Sequence, residues 1–171
     1  MKPITNIYIL ADCSFRMNYH ISRLFGNLVK TKRAINFIPE RTKLHIWKYD
    51  DRVHIFHTTD FAKVSGNPNL GEGLKMLKNL ILSQRKQQPQ TRSIFILHGG
   101  SFVLQGWQQP LKELFDLKEF SFGLRYVVTY GKPDYYAKKA YSAFVDTPER
   151  ILPHFSESRL CSLVANLNRE L

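Results

Sequence analysis

The feature that most constrains the fold is an apolar run near the start of the chain, followed at once by a helical pattern. Ile4 to Ala11 reads ITNIYILA, a nearly continuous apolar segment of strand length. A strand has this composition when it is buried on both faces, because neither face meets water. From Ile21 to Ile35, apolar residues recur at spacings of three and four, which places them on one face of a helix. Together these patterns indicate a parallel sheet covered by helices.

The remaining chain continues this alternation. Further strands are predicted at Lys43 to Tyr49, Arg52 to His57, Ser93 to Leu97, Leu124 to Tyr130 and Glu149 to Leu152. Helices are predicted at Asn69 to Ile81, at Pro110 to Leu117, at Asp134 to Phe144, and after the N-cap residue Ser156. The polar stretch from Ser83 to Arg92 is expected to be a loop. The order predicts an α/β, Rossmann-like fold: a mostly parallel six-stranded sheet with one antiparallel edge strand and helices on both faces.

Length and cysteine usage limit the organisation of the chain. Its 171 residues fit one compact domain, and no repeat or linker divides it, so residues 1–171 are predicted to form a single domain. No segment has the roughly 18 apolar residues of a membrane span, and the first residues do not have the pattern of a signal peptide. The two cysteines, Cys13 and Cys161, have no metal-ligand spacing. We therefore expect a cytoplasmic protein without a membrane partner.

The charge is strongly positive. Lys and Arg total 25 against 14 Asp and Glu, a formal net charge of +11. Such an excess attracts acidic partners of any kind, either acidic protein surfaces or nucleic acid, and does not choose between them.

Four short segments resemble a known family. Ligands of open α/β sheets bind beyond the carboxyl ends of the strands, so the informative residues follow the first and fourth strands and precede the second helix. Ala11 to Met17 reads ADCSFRM and resembles the DxSxS-M opening of von Willebrand factor A (vWA) domains. Gly66 to Leu74 (GNPNLGEGL) resembles the family's GGTxLGxAL segment, and Leu97 to Gly100 (LHGG) resembles its L-T-D-G turn. Ala143 to Ile151 (AFVDTPERI) is similar to its closing strand.

The resemblance implies a vWA fold with a degenerate metal-ion-dependent adhesion site. In the family, two Ser, one Thr and two Asp gather around a divalent cation. Here Asp12 and Ser14 match, whereas Arg16, Pro68 and Gly99 stand where the second Ser, the Thr and the second Asp are expected. Mg²⁺ prefers a near-octahedral set of oxygens, so a remnant of one carboxylate and one hydroxyl makes a poor site. We therefore expect no cofactor, with Mg²⁺ as the disfavoured alternative. Single-domain bacterial vWA proteins of tellurite-resistance clusters are the nearest comparison.

Arg16 has two interpretations. Its guanidinium could occupy the place of the cation and pair with Asp12, which would neutralise an otherwise isolated carboxylate. Alternatively, Arg16 points into solvent while Asp12 caps the first helix or accepts hydrogen bonds from loop amides. The sequence leaves both open.

The resemblance also implies a partner surface formed by the loops at the carboxyl edge of the sheet, which we name the crown. Its predicted residues are Phe15, Arg16, Met17, Asn67, Pro68, His98, Gly99, Phe102 and Trp107. Aromatic and Arg side chains often dominate binding energy at interfaces. Phe102 and Trp107 could instead cover the end of the sheet as core. The first functional hypothesis is a protein-interaction module that binds an acidic partner here.

Catalytic patterns are weak. Cys13 and His98 both follow strands at the ligand edge, but they fit a packed thiol and a loop histidine better than a nucleophile and its base. His54 and His57 are spaced by three residues in a predicted strand, which sends their side chains to opposite faces. Gly66 to Gly73 lacks the Lys and Ser or Thr of a phosphate-binding loop. We predict that the protein is not an enzyme.

The alternative hypothesis is nucleic-acid binding by a basic face. Its candidate residues lie near the ends of the first two helices: Lys30, Lys32, Arg33, Arg41, Lys43, Arg85, Lys86 and Arg92. Phe37 and Trp47 flank them in the sequence and could stack on a base. A solvated basic surface is the simpler interpretation of the same residues.

Overall fold

The fold is a six-stranded sheet with helices on both faces, described from a computed structural model. The structure describes residues 4–35, 41–87 and 91–169. The strand order is β3-β2-β1-β4-β5-β6, with β3 antiparallel to β2 and all other neighbours parallel. The predicted fold class is therefore confirmed.

The elements alternate as the sequence predicts. The strands are β1 Ile4–Asp12, β2 Thr42–Tyr49, β3 Val53–Ile55, β4 Thr91–Gly99, β5 Leu124–Thr129 and β6 Ile151–Leu152. The helices are α1 Ile21–Ala34, α2 Leu70–Gln87, α3 Gln108–Phe115, α4 Lys118–Ser121, α5 Tyr135–Phe144 and α6 Glu157–Arg169. Short 3-10 helices span Phe15–Met17 and Pro148–Arg150.

Each face of the sheet buries its own core. On one face Tyr8 and Leu10 pack with residues of α2, α3 and α5; on the other Ile7 and Ile9 pack with residues of α1 and α6. Alternate residues of β1 point to opposite faces, so the strand is buried on both sides. This explains the continuous apolar run of ITNIYILA.

Two element boundaries differ from the prediction. Helix α2 runs through Ser83 to Gln87, and β4 begins at Thr91, so most of the predicted polar loop is regular structure. The last turn of α2 is exposed to solvent. Polar side chains can therefore lie there without disturbing the core. Strand β4 extends to Gly99, two residues beyond the apolar run, because His98 and Gly99 pair with β5.

The bounds of α3 and β6 also differ from the prediction. The predicted helix from Pro110 to Leu117 begins at Gln108 and ends at Phe115, and α4 follows it. The predicted strand from Glu149 is shorter, because Pro148 starts a 3-10 turn before Ile151. Ser156 caps α6 as predicted, since its Oγ accepts a hydrogen bond from the Arg159 amide at 3.2 Å.

None of the helices in the described residues is both long and apolar enough to cross a bilayer.

Candidate functional site at the carboxyl edge of the sheet

The carboxyl ends of β1, β2, β4 and β5 bring the segments that carry the family resemblance to one edge. The Cys13 amide donates a 2.8 Å hydrogen bond to the Tyr49 carbonyl, and the Phe15 amide donates to the Gly66 carbonyl at 3.0 Å. The Tyr130 amide donates to the Gly99 carbonyl at 2.9 Å. Backbone hydrogen bonds therefore fix the loop after β1 to the loop before α2, and the end of β4 to the end of β5.

Asp12 and Ser14 are fully buried beneath these loops. The Ser14 amide donates a 2.8 Å hydrogen bond to Asp12 Oδ1. Asp12 Oδ2 and Ser14 Oγ lack a protein hydrogen bond of standard geometry. Burial raises the pKa of Asp12 to about 6, against the lowering effect of hydrogen bonding from Ser14 and Gly100. Asp12 thus accepts a loop amide, as one of the two interpretations predicted.

Arg16 lies away from Asp12. Its guanidinium stacks on Phe102, with Cζ 4.2 Å from the ring centroid. Arg16 is exposed to solvent and forms no ion pair with any residue that the structure describes. The hypothesis that Arg16 pairs with Asp12 is therefore wrong for this structure. The physical reason is that the 3-10 turn after Ser14 carries Arg16 outward, where an aromatic face accepts the cation without desolvating it fully.

The position where the family has its second Asp is closed by a tyrosine. A Cβ atom on Gly99 would overlap the ring and hydroxyl of Tyr141 from α5. The same hydroxyl donates a 2.5 Å hydrogen bond to the Gly100 carbonyl. Met17 is fully buried, and its Sδ would lie 2.9 Å from a Cβ on Gly100. The space beside Asp12 is therefore filled by Tyr141 and Met17, and the residues do not fit the family's five-ligand cation site.

Within residues 4–35, 41–87 and 91–169, no group of three or more His, Cys, Asp or Glu side chains is arranged to hold a metal ion.

The nine predicted crown residues divide into exposed and buried groups. Phe15 is 63% exposed and Phe102 is 40% exposed, and Arg16 and Asn67 are also exposed. Trp107 is half-buried and packs against the core of the α2 face, so the alternative role as cover for the sheet is the better description of it. The exposed part of the crown is therefore Phe15, Arg16, Asn67 and Phe102.

The prediction of a partner surface needs correcting at four crown residues, because they are buried in this structure: Met17, Pro68, His98 and Gly99. Pro68 lies under the loop after β4, where its carbonyl accepts the Leu104 amide at 3.0 Å. His98 is the last residue but one of β4 and is buried, so neither residue offers its side chain to a partner.

His98 belongs to a buried polar network instead. Its Nδ1 lies 2.9 Å from the Tyr130 hydroxyl, which also accepts a hydrogen bond from Asn27 Nδ2 at 2.9 Å. Burial lowers the pKa of His98 to about 4, so the ring is neutral at pH 7 and its Nδ1 shares one hydrogen bond with the Tyr130 hydroxyl. Arg23 stacks on the Tyr130 ring from α1. The network links α1, β4 and β5 just below the crown.

Cys13 is a packed thiol. It is buried in the core of the α1 face, and burial raises the pKa of the thiol to about 12. A thiol with so high a pKa has almost no thiolate at pH 7 and is a poor nucleophile. His98 is engaged by Tyr130 rather than by Cys13. His54 and His57 are both exposed.

A groove of about 550 Å³ lies beside the crown, between the β2–β3 hairpin and the loop after β3. Three of its charged residues already have partners: Lys48 Nζ lies 2.7 Å from Asp60 Oδ2, and Asp50 Oδ2 accepts the Ser65 hydroxyl at 2.7 Å. Asp51 binds the backbone and side-chain amides of Asn67. The contacts of Asp50 and Asp51 hold the loop before α2 against the β2–β3 hairpin.

The residues of the predicted basic face gather at the opposite edge of the sheet. The Arg41 carbonyl accepts the Thr5 amide, and Lys43 and Arg92 pair in register with Asn6 and Thr5 at the start of β1. At the end of α1 the exposed residues are Lys30, Lys32 and Arg33. Lys86 is exposed at the end of α2, whereas Arg85 donates to Glu119 through Nε at 2.9 Å. Trp47 is half-buried against the core, and Phe37 lies outside the described residues.

Three exposed tyrosines near the crown are not among the residues predicted from the sequence. Tyr19 is almost fully exposed in the loop before α1, and Tyr135 and Tyr136 are exposed at the start of α5. A signal for the last two is present in the sequence. Ala137, Ala140, Tyr141 and Phe144 follow a helical spacing, which leaves Tyr135 and Tyr136 on the outer side of that helix.

Comparison with known proteins identifies the fold and not the family. No protein-family model matches the chain, and no curated protein sequence matches it. Among solved structures, proximal thread matrix protein 1 (PTMP1) from the mussel byssus matches with a TM-score of 0.66 at 15% identity, over 98% of this chain and 48% of that chain. The pilus adhesin SpaC from Lactobacillus rhamnosus GG matches with a TM-score of 0.65 at 8% identity, over 99% of this chain and 30% of that one.

A third solved structure carries the family name. The von Willebrand factor type A protein from Catenulispora acidiphila matches with a TM-score of 0.57 at 13% identity, over 97% of this chain and 42% of that chain. This chain therefore spans less than half the length of these structural relatives. At such identities the likeness concerns the fold alone. The chain has a vWA-like fold.

Proposed function

We propose that this protein is a non-catalytic interaction module of vWA type, which binds an acidic partner protein through the exposed part of its crown. The observation that carries the proposal is the pair formed by Arg16 and Phe102. The guanidinium lies over an exposed ring and has no carboxylate partner among the described residues. A stacked guanidinium is held in place and keeps its N–H groups available for a carboxylate.

The surroundings of Arg16 support an interface. Phe15, the residue before it, is 63% exposed, so the crown carries a second exposed aromatic side chain besides Phe102. Aromatic and Arg side chains are enriched among the residues that dominate interface energies. The net charge of +11 favours approach of an acidic surface and steers its association.

We further propose that the crown works without a metal ion. Of the five family ligand positions, only Asp12 and Ser14 carry an oxygen side chain, and Tyr141 fills the space beside Gly99. Mg²⁺ keeps a near-octahedral shell and dehydrates reluctantly, so it needs more oxygen ligands than this pair provides. In this proposal the charge that a family cation would supply to a partner's carboxylate comes from Arg16.

The non-catalytic part of the proposal is supported by the state of the candidate groups. The Cys13 thiol has a pKa of about 12, and His98 is buried and bonded to Tyr130. Neither group is poised to act as a nucleophile or as a base near pH 7.

The test is partner capture from native lysate on tagged protein, with and without nuclease. We expect a discrete protein that survives nuclease and is lost when Arg16 is changed to Ala. The matched control changes Lys32 and Arg33 together to Ala, which removes two cations from the opposite edge. A partner that binds the Arg16→Ala variant as well as it binds the wild type would contradict the proposal.

The alternative function, nucleic-acid binding, is favoured by the gathering of Arg41, Lys43 and Arg92 at the start of β1. In that case the captured material is digested by nuclease, the Lys32 and Arg33 variant loses it, and Arg16→Ala retains it. Binding should then fall steeply as salt rises from about 50 to 200 mM.

Two further parts of this proposal rest on the sequence alone. They are the cytoplasmic location and the likeness to vWA proteins of tellurite-resistance clusters. Three of the solved structures that match are a mussel byssus protein, a pilus adhesin and a von Willebrand factor type A protein.

A further inference from the structure

Two tyrosines at the start of α5 leave a large aromatic surface uncovered. Tyr135 is 65% exposed and Tyr136 is 53% exposed, and their rings meet edge to face at 5.3 Å between centroids. Lys139, one turn further along α5, places Nζ 5.3 Å from the centroid of the Tyr135 ring. Lys132 is exposed in the preceding loop. We name these four residues the tyrosine ledge.

The tyrosine ledge adjoins the Arg16–Phe102 pair. The Asp134 amide donates a 2.9 Å hydrogen bond to the carbonyl of Ser101, the residue before Phe102. Gly131 has a φ of 78°, and a Cβ there would lie 2.8 Å from Ser101 Oγ and 3.1 Å from His20 Nε2. The loops after β1, β4 and β5 therefore meet at Gly131, and the surface is continuous from Phe102 to Tyr135.

The charged groups of this surface point to an acidic ligand. The cations are Arg16, Lys132 and Lys139. The neighbouring carboxylate, Asp134, caps α5 by accepting the Ala137 amide at 2.7 Å. A second copy of this chain is a poor occupant, because two molecules of net charge +11 repel each other.

The ring faces favour a protein over a single-stranded nucleic acid. Stacking of bases requires open aromatic faces. Arg16 covers a face of Phe102, and Lys139 lies over a face of Tyr135. The ring edges and the second faces can pack against apolar side chains, while the stacked cations receive carboxylates.

We propose that the tyrosine ledge extends the crown and that both together bind one extended acidic segment of a partner protein, with carboxylates interleaved with aromatic or aliphatic side chains. This inference rests on the proposed function. The carboxylates pair with Arg16 at one end and with Lys132 or Lys139 at the other, and an apolar side chain packs between Phe102 and Tyr135. Strands β1 and β5 are two positions apart in the sheet, roughly 10 Å, which an extended segment of about four residues spans.

The test begins with selection of binders from a phage-displayed library of random dodecapeptides against the whole protein. We expect enrichment of peptides that combine Asp or Glu with aromatic or aliphatic residues. The strongest peptide is then labelled and titrated by fluorescence anisotropy. Tyr135→Ser and Lys139→Gln should each weaken it by about tenfold, because Tyr and charged anchors at interface centres have effects of that order.

The matched controls lie at the opposite edge of the sheet. Lys118 is exposed at the start of α4, and Phe122, which follows α4, is 86% exposed. Phe122→Ser and Lys118→Gln should change the affinity by less than about twofold, as expected for residues outside an interface. Thermal unfolding of each variant should be measured to check that the fold is retained.

The outcomes separate this inference from the proposed function. If Arg16→Ala weakens the selected peptide and the Tyr135 and Lys139 variants do not, the tyrosine ledge is wrong and the crown proposal stands. If neither set weakens it, both are wrong. Selected peptides without acidic enrichment would overturn the partner chemistry. A labelled dodecathymidylate that binds more tightly than the peptide and depends on Tyr135 would overturn the partner class.

Discussion

Tyr141 occupies the space that a side chain on Gly99 would need, and its hydroxyl is hydrogen-bonded to the next carbonyl along the chain, that of Gly100. Helix α5 thereby closes the end of β4 at the position where vWA domains carry a metal-binding Asp. If the sequence resemblance places a family ligand at Gly99 as proposed, a single substitution there cannot introduce it, because Tyr141 fills the space. This relationship supports a crown that depends on Arg16 rather than on a cation.

The first prediction concerns the packing of these two residues. Gly99→Ala should lower the free energy of unfolding by about 1–3 kcal/mol, because the added methyl group overlaps Tyr141. Gly99→Asp should be worse, since it also buries a carboxylate. The measurement is urea unfolding. In a double-mutant cycle, Gly99→Ala should cost clearly less in a Tyr141→Ala background, and an unchanged cost there would show that Tyr141 is not the obstacle.

The second prediction concerns the pH dependence of stability. Burial raises the pKa of Asp12 to about 6 from an ordinary value of 3.8. The folded state therefore binds this proton more tightly than the unfolded state does. Stability contributed by the protonated carboxyl is present below about pH 4 and is lost as the pH rises to about 6, by an amount on the order of 3 kcal/mol.

Asp12→Asn isolates this effect, because the amide is uncharged over the whole range. The free energy of unfolding of Asp12→Asn minus that of the wild type should rise between pH 4 and pH 6.5 and then level off. The measurement is urea unfolding at a series of pH values for both proteins. A difference that is flat, or that falls with pH, would contradict a raised pKa of Asp12 in the folded state.

The third prediction concerns Arg125, a buried cation whose hydrogen bonds go to backbone carbonyl groups. Its Nε donates to the Phe144 carbonyl at 2.8 Å, and its Nη1 donates to the Phe120 carbonyl at 2.6 Å. Arg125→Met should lower the free energy of unfolding by about 2–4 kcal/mol, because buried carbonyls lose charged donors. Arg125→Lys should recover only part of this, since one ammonium lacks the fork of the guanidinium. Equal stability of Arg125→Met and the wild type in urea would contradict this role, and the exposed Arg33→Met serves as control.

The strands could be predicted where burial on both faces leaves an unbroken apolar run. ITNIYILA and SIFIL have that form, and both lie within strands of the sheet. The extension of β4 to His98 could not be predicted, because His98 is accommodated by the Tyr130 hydroxyl, 32 residues away in the sequence. Local composition carries no information about such a partner.

The candidate site shows the same limit. The segments after β1 and β4 and before α2 meet at one edge because the topology brings strand ends together, and topology was readable from the alternation of elements. The contacts that individual side chains make could not be predicted in this way. Arg16 turns outward to Phe102 and Tyr141 fills the space at Gly99, and both contacts join residues more than 40 positions apart. The exposed Tyr135 and Tyr136, by contrast, follow from the helical spacing of α5 alone.

The most direct test of the central claim is the affinity of the captured partner measured with EDTA and with Mg²⁺, for wild type and Arg16→Glu. If Arg16 supplies the positive charge, the affinity of the wild type should be the same in EDTA and in Mg²⁺. Arg16→Glu should weaken binding by at least about tenfold in both, since it replaces attraction of a carboxylate by repulsion. A partner that requires Mg²⁺ and binds Arg16→Glu as tightly as wild type would contradict the account.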